Sequence, residues 1–151
     1  MHVAILHANL PYNKRGQMDK LVVSFFVLFI MAACTGKPSA SIQGEWKLVS
    51  YGPPTSQIVA VPDVETSIDF DPEGRMSGNV GCNGFSGEYT TDGDMITFGP
   101  VMSTKMFCEP VAEQESGTLA VFRESVSFVT DGSIATITSA DGNSSIVLER
   151  K

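Results

Sequence analysis

The sequence predicts a mainly β domain with one helix: a compact antiparallel sheet, curved or partly closed into a barrel, covered by a short helix. Three observations lead there. Short segments in which apolar and polar residues alternate recur from Trp46 to Leu148, the period of a half-buried strand. Turn-forming Asp, Gly, Pro and Asn residues separate these segments at short intervals. One stretch, 111–122, breaks the two-residue period in favour of helical spacing.

The chain has 151 residues, a length that suits one domain. The domain is preceded by Leu21–Ala33, thirteen uncharged residues, too short for the roughly 20 residues of a transmembrane helix. Lys20 lies in front of this run and Ala32-Ala33 end it, which is a signal-peptide layout. Residues 1–33 are therefore expected to be a signal peptide whose compact form starts at Met18, with Asp19 an unusual residue for that region. Met31-Ala32-Ala33-Cys34, followed at once by polar residues, resembles the bacterial lipobox, with Met31 where Leu is usual. That resemblance implies cleavage before Cys34 and acylation of Cys34; the other reading is an ordinary secretory signal with an incidental cysteine.

From Cys34 on, 118 residues carry 7 Lys+Arg and 16 Asp+Glu, a net charge of −9. Residues 34–43 read as a lipidated N-terminus and a Gly, Pro and Ser tether, leaving 44–151 as the folded domain. Acyl chains contribute about 0.8 kcal/mol per buried methylene, so the expected partner is the lipid membrane, held through Cys34 without a basic patch. Thr35 replaces the Asp that retains many lipoproteins at the inner membrane. The expected location is the outer membrane facing the periplasm in a two-membrane host, or the outer leaflet in a one-membrane host.

Within the domain, Trp46, Leu48 and Ser50 alternate with Lys47, Val49 and Tyr51. Ile68 and Phe70 precede Asp71-Pro72-Glu73-Gly74, a type I turn signature, and 66–80 reads as a hairpin. Phe85–Thr90 and Met95–Phe98 flank Asp92-Gly93; Val126–Val129 and Ile134–Thr138 flank Asp131-Gly132; Ile146–Leu148 follows Asp141-Gly142. In 111–122, Pro110 suits a first helical position and Glu113 and Glu115 a first turn, while Gly117 costs about 1 kcal/mol against Ala. Leu119 and Phe122 are the residues expected to face inward.

The net charge of −7 argues against nucleic acid as a partner. Both histidines, His2 and His7, precede the hydrophobic run, which removes Ser-His-Asp triads, Cys-His pairs and His-rich metal sites from the domain. No catalytic residue, metal set or cofactor is expected. Asp69, Asp71, Glu73 and Gly74 imitate the start of an EF-hand loop, but its twelfth position is Val80, and a turn explains them better. Met76, Met95, Met102 and Met106 form no compact motif and read as core gap-fillers. Cys82 and Cys108 are an even pair in an exported chain and are expected to form a disulfide, with about 3–4 kcal/mol from loop closure.

The densest special segment is Gly81-Cys82-Asn83-Gly84-Phe85-Ser86-Gly87. It reads either as a tight loop aiming Cys82 at Cys108 or as a close backbone approach to a ligand. A mouth lined by Phe85, Met102, Met106 and Phe107 would favour the ligand; a filled interior with an exposed apolar patch would favour a protein partner. Trp46-Lys47-Leu48, Ile68-Asp69-Phe70, Gly78 through Tyr89, and Ser103-Thr104-Lys105-Met106-Phe107-Cys108 with Glu115 resemble the META domain of HslJ-like bacterial lipoproteins. Phe107 replaces a small residue usual before the second cysteine. The resemblance implies a mainly β envelope protein without established catalytic residues or cofactor, linked in some members to heat shock and antibiotic tolerance. An envelope protein is the partner it suggests. Gly81, Asn83, Gly84, Gly87 and Thr104 are the candidate functional surface, with a small-ligand module as the alternative.

Overall fold

The structure, a computed structural model, describes residues 41–151. The expected signal peptide, Cys34 and most of the tether lie outside the described residues.

Eight antiparallel strands close into a barrel: β1 (Gly44–Gly52), β3 (Ser67–Phe70), β4 (Arg75–Asn79), β5 (Gly84–Asp92), β6 (Met95–Phe98), β8 (Ser125–Thr130), β9 (Ile134–Thr138) and β10 (Ser145–Arg150). They pair in the order β1-β3-β4-β5-β6-β8-β9-β10, and β10 returns to β1 through Trp46↔Arg150 and Leu48↔Leu148. Closure removes the open edges an acidic sheet of this size would otherwise expose. Two short strands add to the wall. β2 (Ile58–Val59) pairs Ser50 and Tyr51 of β1, and β7 (Met102–Ser103) pairs Phe85 and Ser86 of β5.

The expected alternation appears directly in burial. Trp46, Leu48, Ile68, Phe70, Met76, Phe85, Tyr89, Ile96, Val126, Phe128, Ala135 and Ile137 point inward, and their chain neighbours point out. Aromatic rings fill the interior: Phe70 meets Tyr89 edge-on at 5.1 Å, and Phe122 lies 5.2 Å from Phe98 and 5.5 Å from Phe85. Such pairs contribute about 0.5–1.5 kcal/mol each beyond burial. The alternation fails once in β1. A register shift between Leu48 and Ser50 makes a bulge, after which both Ser50 and Tyr51 are buried.

The barrel has two ends. At the first, hairpins turn at 71–74, 93–94 and 131–133, and the chain enters and leaves at Ile42–Gly44 and Arg150-Lys151. The domain begins slightly earlier than 44, because Ile42 is buried and its carbonyl accepts the Trp46 indole N–H at 2.7 Å. Arg150 clasps this end: its guanidinium stacks 4.1 Å over Trp46 and donates to the carbonyls of Gln43 and Gly132. Gly44 has φ +115, and a Cβ there would sit 2.5 Å from Arg150 Nη1, so this approach requires glycine.

At the other end lie the connections 53–66, 80–83, 99–124 and 139–144. A single turn of 3₁₀ helix (Glu109–Val111) leads into α1 (Ala112–Leu119), which covers it. The helix is shorter than expected and its inner face is polar. Gln114, Glu115 and Thr118 are buried, Leu119 is only half-buried, and Phe122 reaches the core from beyond the helix end. Gly117 lies against Tyr51, whose ring carbons would stand 2.8 Å from an added Cβ.

Methionine placement also departs from expectation. Met76 is core, but Met95, Met102 and Met106 are exposed because they occupy outward positions of β6 and β7 and a surface loop.

Candidate functional site

The glycine-rich loop and the segment before Cys108 come together at the helix end. Cys82 and Cys108 are joined by a disulfide, with their Cα atoms 6.2 Å apart. Asn83 is buried, and its side-chain amide acts as a length of strand. Its Oδ1 accepts from the Met106 N–H and the Thr104 hydroxyl, each at 2.8 Å, while its Nδ2 donates to the Met106 carbonyl at 2.9 Å. Thr104 N–H donates to the Gly84 carbonyl at 3.0 Å, so β7 is continued past Ser103 by a side chain where β5 has ended.

Glu115 closes the arrangement from the helix. Its Oε1 accepts the Cys82 N–H at 2.6 Å and also the Asn83 N–H, and its Oε2 accepts Asn83 Nδ2 at 2.8 Å. No cation balances this carboxylate among the described residues. Burial pushes the carboxyl pKa up, but the donors from Asn83 and Cys82 outweigh it and hold the group below the ordinary glutamate value. Gln114 plays a parallel part, its amide donating to the Val80 carbonyl at 2.6 Å and accepting the Val61 N–H at 2.7 Å. The polar face of α1 therefore satisfies main-chain groups of loops that no strand can reach.

The candidate residues thus divide. Asn83, Thr104, Cys82 and Cys108 meet in one network, joined by Glu115. Gly81 is a packing glycine, since a Cβ there would lie 2.8 Å from Glu115 Cγ and 3.0 Å from Val111. Gly87 admits Val101, whose Cγ2 would be 3.0 Å from a Cβ. Gly84 meets only one neighbour, at 3.8 Å, so contact does not require its glycine. Every hydrogen-bonding atom of the Asn83 side chain is engaged within the protein, so the loop serves as a fastening.

The mouth of Phe85, Met102, Met106 and Phe107 does not form. Phe85 is buried against Phe122, whereas Met102, Met106 and Phe107 are 72%, 58% and 82% exposed. Phe107 points to solvent, which is why a large ring is accommodated before Cys108. The side chain with no signal in the sequence is Gln114, whose buried amide lies in a segment read for its apolar spacing. Glu115 was part of the quoted resemblance, but its role as an acceptor appears only with the loop folded over it.

At the turn end, Asp71 carboxylate oxygens accept the Arg75 main-chain N–H and Nε at 2.8 and 2.7 Å. The main-chain donor of Arg75 chiefly holds the Asp71 carboxyl below its ordinary value, despite some opposing desolvation. Of the EF-hand-like acids, Asp71 and Glu73 lie in the turn, and Asp69 is an outward-facing residue of β3 paired with Ser77. Among the described residues, no three His, Cys, Asp or Glu side chains gather as a metal site, and no helix is long and apolar enough to cross a membrane.

The family model described as META domain matches residues 40–151. Among solved structures, an NMR structure of a protein from Burkholderia xenovorans is similar with TM-score 0.60 and 14% identity, covering 100% of this chain and 98% of that one. A second NMR structure has TM-score 0.56 and 18% identity, over 71% of this chain and 88% of that one. A DUF4847 family protein from Bacteroides vulgatus has TM-score 0.54 and 12% identity, over 72% and 93%. At these identities the likeness is one of fold. No curated protein matches the chain.

Proposed function

The chain belongs to the META domain family, and from that premise we propose that it is a lipid-anchored envelope protein that acts by contacting another envelope protein. META is not a known enzyme family, and the reading assigns this chain no catalysis. The observation that carries the proposal is the division of apolar side chains at the helix end. The barrel interior is filled by Trp46, Phe70, Phe85 and Phe122, while Met102, Met106 and Phe107 stand exposed around a segment tied down by the disulfide and Asn83. A rigid exposed apolar group is suited to protein contact, since little side-chain and loop ordering remains to oppose binding.

Anchorage through an acylated Cys34 is supported by the Met31–Cys34 pattern. With the described chain entering at Ile42, such an anchor would limit the distance of the turn end from the membrane to at most roughly 3.3–3.6 Å per tether residue. The acids Asp71, Glu73, Asp92, Asp94 and Asp131 of the turns discourage contact with anionic headgroups, and the helix end is left facing away. The role in heat or antibiotic tolerance is part of the same proposal and follows from the family context. Its test is a crosslinked pull-down of the tagged chain before and after heat stress, with Phe107→Asp/Met106→Asp as the comparison. A specific envelope protein recovered with the wild type and lost with the double variant is expected; recovery that ignores the double variant removes the surface from the account.

A further inference from the structure

The barrel wall is incomplete in one place. β6 pairs β8 through Met95, Ile96 and Thr97, with a last bond from the Phe98 N–H to the Glu124 carbonyl, after which the chain leaves to become β7 beside the upper part of β5. β7 pairs with β5 and with no other strand. The bond from Thr104 N–H to the Gly84 carbonyl is in register with Ser103↔Phe85 and Met102↔Ser86. Antiparallel partners alternate between bonded and non-bonded pairs, so Ser103 turns its N–H and C=O away from β5. Met106 faces inward to Asn83, and among the described residues the main chains of Lys105 and Phe107 have no hydrogen bond. Segment 103–107 is therefore an extended edge whose outer main-chain groups are free.

Beside this edge runs a groove of about 630 Å³ between Ser103 and the connection from α1 to β8. Phe98 and Phe122 form its floor, Val101 and Leu119 its flanks, and Arg123 and Glu124 its rim. The charges add a third observation. Among the described residues Lys47, Arg75 and Lys151 are in ion pairs and Arg150 is hydrogen-bonded; Lys105 and Arg123 have neither kind of side-chain partner. In an acidic domain, the two uncommitted cations lie on the free edge and on the rim of the groove next to it.

We propose that this edge and groove receive an extended segment of a partner protein as an added strand beside β7, in the space between β7 and the connection from α1 to β8. The segment carries an apolar side chain over Phe98 and Phe122 and a carboxylate toward Lys105 or Arg123. Strand addition draws affinity from main-chain hydrogen bonds and specificity from alternate side chains, and this site offers both. A small apolar ligand would use the floor and leave the edge and cations unsatisfied. The inference rests on the protein-contact reading and narrows it to one surface and one class of partner.

The test pans a displayed library of random decapeptides against the full oxidised chain, held by a tag after Lys151 at the opposite end. Enriched peptides are expected to alternate apolar and acidic residues. Arg123→Glu should weaken the best peptide about tenfold, and N-methylation of its alternate amides should weaken it by at least about as much. Ser103→Pro, which deletes an outer-edge donor, should do the same once its thermal melt confirms folding. No enrichment, or peptides indifferent to both N-methylation and Arg123→Glu, overturns the strand-addition site. If an envelope protein is still captured in cells through Phe107, the contact reading survives that failure; if that capture fails too, both fall.

Discussion

At the turn end the connections close on their own side chains, whereas the helix end is built from long connections that need a disulfide, a buried amide and a buried carboxylate. Asp71 holds Arg75, Asp131 accepts the main-chain N–H groups of Ser133 and Ile134, and Lys151 pairs with Glu45, all near the surface. Each of these interactions is local or exposed, and exposed pairs contribute only about 0–1 kcal/mol. At the helix end, Asn83, Met106, Cys108 and Glu115 are brought together from three separate stretches of chain. A barrel end that only reverses the chain can be short and self-contained. One that must hold an exposed segment in a fixed extended shape needs long-range ties.

The comparison is sharpened most by cutting the covalent tie. Replacing Cys82 and Cys108 with Ser should lower stability by about 2–5 kcal/mol in urea unfolding, and reductant should abolish the difference from wild type. Equal midpoints without reductant would mean the helix end does not depend on the bridge. Glu115→Ala leaves three donors of Cys82 and Asn83 unanswered and should cost about 2–4 kcal/mol by the same measurement. Combined with Asn83→Ala it should cost less than the two losses added, because both remove the bond from Asn83 Nδ2 to Glu115 Oε2.

The carboxylate also sets a pH dependence. Its folded pKa lies below the ordinary value, so its contribution is complete above about pH 4.3 and is lost as pH falls through the lower folded value. Glu115→Gln should therefore flatten part of the acid decline in urea midpoint, while the contributions of Asp71 and Asp131, also lowered, remain. An unchanged acid limb would contradict the assignment. Gly117→Ala comes next: the propensity gain of about 1 kcal/mol should be exceeded by the clash with Tyr51, for a net loss of about 1–2 kcal/mol. The smallest effect belongs to the turn end, where Arg75→Ala should move the urea midpoint far less than Glu115→Ala does. A loss there equal to that of Glu115→Ala would erase the contrast between the two ends.

The difference between the ends also governs what the sequence made legible. The hairpin turns were readable because Asp71, Gly74, Gly93 and Gly132 act on residues within four positions, and the three glycines adopt positive φ. Strand faces were readable because alternation is local. The disulfide is readable from the even cysteine pair together with the expected export signal. The inner face of α1 was misjudged because apolar spacing pointed to Leu119 and Phe122, while the space beneath the helix is occupied by loop amides that Gln114 and Glu115 must satisfy. Likewise β2 and β7 are two-residue strands created by pairing with β1 and β5, with no period of their own to detect. Met102 is exposed by its outward position on β7, and Met106 and Phe107 lie on a segment fixed by Asn83 through a contact spanning 23 residues.

The most direct test of the account places a photoreactive amino acid at one position at a time in living cells, at Phe107 and Met102 on the helix end and at Glu73 and Asp92 on the turn end. The account predicts adducts to one envelope protein from Phe107 and Met102, and none to that protein from Glu73 and Asp92. Adducts from the turn end alone, or the same protein captured equally from both ends, would contradict it.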